Sequence, residues 1–86
     1  MTVTAQDKVD LIRLAALIGR HADALSPFEA ELVEACVLRF RDRGDRMTLT
    51  INERLVLSDA LQAMERASRD AAANDAEAAA GMRGAA

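Results

Sequence analysis

Helix-start signals at three places constrain the fold of this chain more than any other sequence feature. Ser26 precedes Pro27, and Glu29 follows the serine by three residues. This spacing predicts a capping box at the start of a helix, with proline at the first helical position. Thr50 and Glu53 repeat the spacing. The sequence therefore predicts helices that begin near residues 27 and 51.

The third start signal lies near the N-terminus, and a glycine supplies a stop signal. Thr4, with Asp7 three residues later, is a weaker form of the capping box. Gly44 follows a run of arginines, and cations followed by glycine are typical of a helix end. The predicted helices cover residues 5–24, 27–43 and 51–72. Because no strand-like alternation of useful length is present, we expect an all-α fold, a small three-helix domain.

Apolar residues recur at helical spacing, so each predicted helix has one face suited to a core. In the first helix this face comprises Leu11, Ile12, Leu14, Ala15, Ala16, Ile18, Ala22 and Leu25. In the second helix it comprises Phe28, Leu32, Val33, Cys36, Val37 and Phe40. In the third helix it comprises Val56, Leu57, Ala60, Leu61, Ala63, Met64, Ala67 and Ala71.

The apolar face of the first helix is broader than a single core requires. Part of it follows the alternating four and three spacing of a coiled-coil seam, from Leu11 through Ala15, Ile18 and Ala22 to Leu25. A domain this small, with no disulfide and no metal, is commonly stabilised by oligomerisation, and a two-fold dimer is the usual symmetry. We therefore expect a homodimer. Its predicted contacts are Leu11, Leu14, Leu17, Ile18 and Leu25.

The chain divides into one helical domain, residues 1–75, and a C-terminal tail, residues 76–86. The tail belongs to an alanine-rich stretch that carries little large apolar surface, and Gly81 and Gly84 interrupt it. Glycine is a poor helix former, so we expect the tail to be frayed or disordered.

Composition excludes several classes of function. Aromatic residues make up only 2% of the chain, which argues against the stacking platforms that bind single-stranded nucleic acid. One cysteine and one histidine exclude a disulfide framework and an ordinary Cys/His zinc site. The net charge of −3 argues against broad binding to a phosphate backbone. We expect no catalytic residue, no cofactor and no metal, so the chain is predicted not to be an enzyme.

The N-terminal residues lack the basic start and long apolar run of a signal peptide. The longest apolar stretches are far shorter than a membrane span. We therefore expect a cytoplasmic protein with no membrane insertion.

An arginine cluster in segment 39–46 has two interpretations. Its members are Arg39, Arg41, Arg43 and Arg46. One interpretation is an anion site, which makes a small DNA-binding transcriptional regulator the alternative function. The other is structural, because a helix that begins with glutamates and ends with arginines complements its own macrodipole. Since Asp42 and Asp45 offset half of the arginine charge, we favour the structural interpretation.

Residues 49–57, LTINERLVL, resemble the LTxxExxVL opening of LuxR-type and sigma-type helix-turn-helix domains. That family has a second turn and a recognition helix downstream, rich in polar residues that read bases. Here the helix instead continues through residues 60–65, ALQAME, into the alanine-rich stretch. This departure puts DNA recognition in doubt, because the shared letters encode a helix cap followed by amphipathic spacing.

Residues 28–64 resemble the small, alanine- and arginine-rich all-helical accessory proteins of temperate phages in high-GC bacteria. The resemblance is one of overall character and has no diagnostic motif, so no binding residues carry over from that group. It implies a non-enzymatic protein that binds a host protein and modulates or blocks it.

Apolar residues outside the main faces predict a partner-binding surface made of Leu38, Ile51 and Leu55. We expect the connection between the second and third helices to bring these residues together. The four arginines of segment 39–46 would form the rim, because interfaces favour apolar centres bordered by arginine. The competing interpretation is that Ile51 and Leu55 pack beneath the connection as a satellite cluster. The predicted function is binding and inhibition of another protein.

Overall fold

Three α-helices and two short 3₁₀ turns make up the computed structural model of this protein. The structure describes residues 2–74 with their side chains and the course of the backbone to residue 85. The helices are α1 (Ala5–His21), α2 (Pro27–Arg43) and α3 (Ile51–Ala85), and the 3₁₀ turns are Ala22–Ala24 and Gly44–Arg46. The predicted all-α, three-helix fold is confirmed. Within the described residues, no helix is both long enough and apolar enough to cross a membrane.

Every helix begins at a complete capping box, as the start signals predict. Ser26 Oγ accepts from the Glu29 amide, and the Ser26 amide donates to Glu29 Oε1, at 3.2 and 3.1 Å. The amide of Glu53 donates to Thr50 Oγ1 at 3.1 Å, and Glu53 Oε1 accepts from the Thr50 amide at 2.9 Å. Thr4 makes the same reciprocal pair of bonds with the residue three positions later. The weaker signal thus forms the same cap, because an aspartate carboxylate also reaches the capping residue's amide.

The helix ends agree less closely with the prediction. Gly44 terminates α2 with φ +55°, a conformation that glycine adopts without steric cost, and its amide donates to the Phe40 carbonyl oxygen. α1 ends at His21, before the predicted residue 24, because the next residues tighten into the 3₁₀ turn. α3 continues past the predicted residue 72, consistent with the high helix propensity of alanine. The predicted frayed tail, residues 76–86, lies outside the residues described with side chains.

The core contains one buried face from each helix together with the connection between α2 and α3. Its buried members are Leu11, Leu14, Leu25, Val33, Cys36, Val37, Met47, Leu49, Leu57, Ala60, Leu61 and Met64. The amide of Val3 donates to the Met47 carbonyl oxygen at 3.1 Å, and Thr2 pairs with Thr48 in an isolated antiparallel bridge. The N-terminal residues thereby hold the extended connection in place over the core. The sequence did not reveal this role of the connection.

Four residues assigned to the core by periodicity are exposed, namely Ile12, Ala16, Phe28 and Ala71. The two large ones are Ile12 and Phe28. Ile12 is 61% exposed, because it follows Leu11 by one residue and therefore lies about 100° from the buried side of α1. Phe28 is 66% exposed, because it lies five residues before Val33 and thus about 140° around α2 from that buried side chain. Both predictions were wrong because the apolar arc on each helix wheel is wider than the strip that neighbouring helices cover.

Candidate interaction surfaces

Exposed apolar side chains are the most unusual feature of the described surface. Six large apolar residues are between 49% and 66% exposed. This number is high for a protein whose buried core has only twelve residues. They are Val9, Ile12, Phe28, Leu38, Ile51 and Leu55. Each helix carries two of them. Single exposed apolar residues are ordinary on protein surfaces, so their grouping decides whether they form a site.

The predicted patch of Leu38 with Ile51 and Leu55 is wrong as a single surface. Cys36 of α2 lies 4.0 Å from Glu53 of α3, from Sγ to Oε2, which identifies the sides on which these helices meet. Leu38 and Leu55 each follow one of these contact residues by two positions, so each side chain points about 160° away from the contact. The α2–α3 contact therefore separates the two leucines.

Leu38 instead borders a groove between α1 and α2. The groove has a volume of about 240 Å³, and its lining is Ala15, Ile18, Glu34, Val37, Leu38 and Arg41. Its floor is apolar, and Glu34 and Arg41 lie along its α2 edge, one on either side of Leu38. Leu38 is exposed as predicted, but its neighbours belong to α1 and not to α3.

Ile51 and Leu55 form a separate apolar pair at the start of α3. They are one helical turn apart and therefore adjacent on the helix surface. Their exposures of 66% and 60% contradict the interpretation that they pack beneath the connection. Asn52, Asp59 and Gln62 are exposed on the same helix, so polar residues surround the pair. We call this pair the α3 patch.

Arg39 is not part of a docking rim, contrary to the prediction. Its guanidinium forms an ion pair with Glu53 of α3, and Nη2 donates to Cys36 Sγ at 3.1 Å. The hydrogen bond to Glu53 and the bond to the sulfur outweigh partial burial and raise the pKa of Arg39 above its ordinary value. The other three arginines of the segment, at positions 41, 43 and 46, are exposed. Within segment 39–46, Arg39 therefore has a structural role, whereas the other three arginines are accessible at the surface.

Cys36 has the surroundings of a structural thiol. Its side chain is fully buried in the core. Burial raises the pKa of the Cys36 thiol, and the hydrogen bond from Arg39 offsets this only in part. A thiol in this state is protonated at neutral pH, whereas the thiolate is the nucleophilic form. The arrangement therefore favours packing over nucleophilic chemistry at this position.

The capping carboxylates of α1 and α3 each bind an arginine of another helix. Asp7 of α1 accepts from Arg54 Nη2 of α3 at 2.8 Å, and the same nitrogen donates to the Thr2 carbonyl oxygen at 3.1 Å. Glu53 of α3 binds Arg39 of α2 in the corresponding way. Nothing in the sequence marks these pairs, because the partners are far apart in the chain and unrelated in local spacing.

Two further ion pairs connect α1 with its neighbours. Lys8 Nζ lies 2.6 Å from Asp45 Oδ1 in the second 3₁₀ turn, and Arg13 Nη1 lies 2.9 Å from Glu65 Oε1 on α3. Because one side chain of each pair is largely solvent-exposed, each pair contributes little to stability. They show instead which sides of α1 face the other elements.

Stability should decrease in acid because of the two capping carboxylates. The pKa of Asp7 is lowered although burial opposes this, since bonds from the Thr4 amide and Arg54 outweigh it. The pKa of Glu53 is lowered mainly by the Thr50 amide and then by Arg39. Carboxylates with depressed folded-state pKa values stabilise the fold fully above their ordinary range and lose this contribution as the pH falls through the folded-state value. We expect the denaturant midpoint to fall below about pH 4.5.

Asp7→Asn and Glu53→Gln test this pH dependence. Each variant should be less stable than the wild type at pH 7, and each should show a smaller decrease on acidification, because one titrating group is gone. Chemical denaturation from pH 7 to about pH 2.5 measures both effects. If the doubly substituted protein lost as much stability in acid as the wild type, other carboxylates would control the acid response.

The predicted dimer contacts fall into two groups. Leu11, Leu14 and Leu25 are at most 8% exposed and pack within the core of one chain, so their prediction as dimer contacts is wrong. Of the predicted seam, Leu11 and Leu25 are buried in the core of the same chain, whereas Ala15, Ile18 and Ala22 are half-buried. Leu17 and Ile18 are half-buried and lie on different sides of α1. Ile18 lines the α1–α2 groove, and Leu17 lines a groove of about 530 Å³ that also includes Arg13 and Glu65.

Comparisons with known proteins identify no relative from which a site could be transferred. No family model matches the chain, and neither the curated proteins nor the solved structures include a significant match. Among the residues described with side chains, no three histidine, cysteine, aspartate or glutamate side chains are placed to hold one metal ion. The functional proposal therefore depends on the positions of the exposed apolar side chains.

Proposed function

We propose that this protein binds another protein through the α3 patch and inhibits it by occupying an apolar groove. The observation that carries the proposal is the exposure of Ile51 and Leu55 on adjacent positions of a firmly anchored helical turn. Apolar anchors at this spacing are the residues by which an amphipathic helix docks into a groove of its partner. The proposal agrees with what the resemblance of residues 28–64 implies.

Anchoring of the first turn of α3 supports a binding role for the α3 patch. Glu53 and Arg54 lie between Ile51 and Leu55 in the sequence, and each is tied to a different helix. Glu53 binds Arg39 of α2, and Arg54 binds Asp7 of α1. Thr50 caps the same turn. A surface that is already ordered loses little conformational entropy on binding. A small ordered patch therefore contributes more to affinity than a flexible patch of the same size.

Charge near the patch indicates the chemistry of the partner. Arg43 is in the last turn of α2 and Arg46 is in the following 3₁₀ turn, and both are exposed on the connection that leads into α3. Since Asp59 is exposed beside the same pair on α3, a partner with an apolar groove bordered by residues of both charges fits the patch best. DNA binding by segment 39–46 has less support, since Arg39 is committed to Glu53 and two aspartates accompany the remaining arginines.

Leu55→Glu and Ile51→Glu test the proposed binding surface. The wild-type chain is used to capture partners from its native host, and affinities of the purified partner are then measured by calorimetry. Each substitution should weaken binding by about 10-fold or more, because it places a charge where an apolar anchor must be desolvated. Leu38→Glu is the matched control, since Leu38 has nearly the same exposure as Leu55 but lies on another side of the molecule.

Two results would contradict the proposal. Full affinity of the Leu55→Glu protein, with loss of affinity in Leu38→Glu, would move the binding surface to the α1–α2 groove. Capture of nucleic acid with an affinity that falls steeply as the salt concentration rises would favour the DNA-binding alternative, because counterion release dominates such binding. Binding centred on leucine should respond only weakly to salt.

A further inference from the structure

We infer that the α1–α2 face is the interface of a homodimer in which two copies pack antiparallel about a two-fold axis through the groove beside Leu38. This surface is distinct from the α3 patch, and the inference does not depend on the proposed partner binding. The occupant of the face is a second copy of this chain. Three features of the face support this assignment: its charge pattern, its surface shape and its area.

The charge pattern of the groove is complementary to itself. Glu34 and Arg41 line the α2 edge on either side of Leu38, and both are exposed. They are seven residues apart, or about 10 Å along the helix, which is too far for them to pair with each other. Neither has an ion pair within the described part of the chain.

An antiparallel second copy would satisfy both charges. Rotation about an axis beside Leu38 exchanges the two ends of the α2 edge, so Glu34 of one copy meets Arg41 of the other. The same pair forms twice, once on each side of the axis, as an isologous interface requires. The central leucines then pack against each other, and the charges border them as a polar rim.

The shape of the α1 surface is compatible with the same antiparallel arrangement. Ile12 is exposed and projects from α1, whereas Ala15 and Gly19 leave a depression along the next two turns. Ala15 lines the same groove as Leu38, so the two-fold axis passes close to it. An antiparallel α1 of the second copy places its Ile12 over Gly19, since these residues lie at similar distances on opposite sides of the axis. A large side chain then occupies a position where no side chain projects.

The area is sufficient for a specific interface. Each of the two helices has 17 residues, and the face they form measures roughly 25 by 20 Å. Two copies would bury about 1,000 Å² in total, which is the lower limit for a specific interface. We therefore expect a dimer of moderate affinity, held by a few apolar contacts and two pairs of charges.

Charge reversal tests both the interface and its register. Glu34→Arg alone and Arg41→Glu alone each place like charges opposite one another twice, and each should weaken dimerisation roughly 10- to 50-fold. An equimolar mixture of the two variants restores opposite charges at both positions, so a heterodimer should form with near wild-type affinity. Analytical ultracentrifugation at about 100 µM, where a micromolar dimer is fully formed, should give twice the chain mass of 9.3 kDa for wild type and mixture.

Apolar substitutions provide an independent test with a matched control. Leu38→Glu should give a monomer, whereas Leu55→Glu should remain a dimer, although the two leucines are equally exposed in one chain. Circular dichroism melts at low concentration confirm that each variant is folded. A wild-type chain of 9.3 kDa at about 100 µM would overturn the dimer. A mixture of the charge variants that associates no better than either variant alone would overturn the antiparallel register.

Discussion

Replacement of Leu14 by alanine should lower the free energy of unfolding by about 3–5 kcal/mol, the largest effect expected for a single residue of this protein. Leu14 is completely buried in the described structure and packs within the core shared by the three helices. The substitution removes buried methyl and methylene groups and leaves a cavity that the rigid surroundings fill only in part. Domains of this size have a total stability of only a few kcal/mol, so the variant should be largely unfolded at 25 °C.

Leu55→Ala is the control for the Leu14 substitution. The chemical change is the same, but Leu55 is 60% exposed, so the loss should stay below about 1 kcal/mol. Urea denaturation followed by circular dichroism measures both variants. Equal unfolding midpoints for the two would contradict the burial of Leu14 and would favour its original assignment to a dimer contact.

Glu53→Ala should have the second largest effect, a loss of about 2–3 kcal/mol. The substitution removes the reciprocal cap of α3, and it leaves the half-buried Arg39 guanidinium without its carboxylate. An unpaired charge in a partly buried position costs more than the absence of both partners. The first turn of α3 would also lose one of its two anchors, so the α3 patch should bind its partner more weakly.

Glu29→Ala separates the two contributions of Glu53 to stability, which are the helix cap and the ion pair with Arg39. Glu29 occupies the equivalent position in the capping box of α2, and it has no ion pair among the described residues. Its removal should therefore cost only the cap, about 0.5–1 kcal/mol. The difference between the two variants measures the ion pair with Arg39. If the two losses were equal, the ion pair would contribute nothing to stability.

The sequence by itself determined where the helices begin and which fold class results. The capping boxes at Thr4, Ser26 and Thr50 are present as predicted, because each depends on atoms only three residues apart. The stop at Gly44 is likewise local, since it depends on the backbone freedom of one residue. Most of the core also follows from the sequence, because helical periodicity identifies which residues share a face.

Only the tertiary structure decided which apolar residues remain exposed and which charges are paired. Ile12 and Phe28 lie within the apolar arcs of their helices, yet the neighbouring helices cover a narrower strip. The sequence predicts one surface for Leu38 and Leu55, but the contact between Cys36 and Glu53 turns them to opposite sides. The physical reason is that periodicity describes each helix in isolation. The rotation of one helix against another, and the ion pairs that accompany it, depend on contacts between residues far apart in the chain.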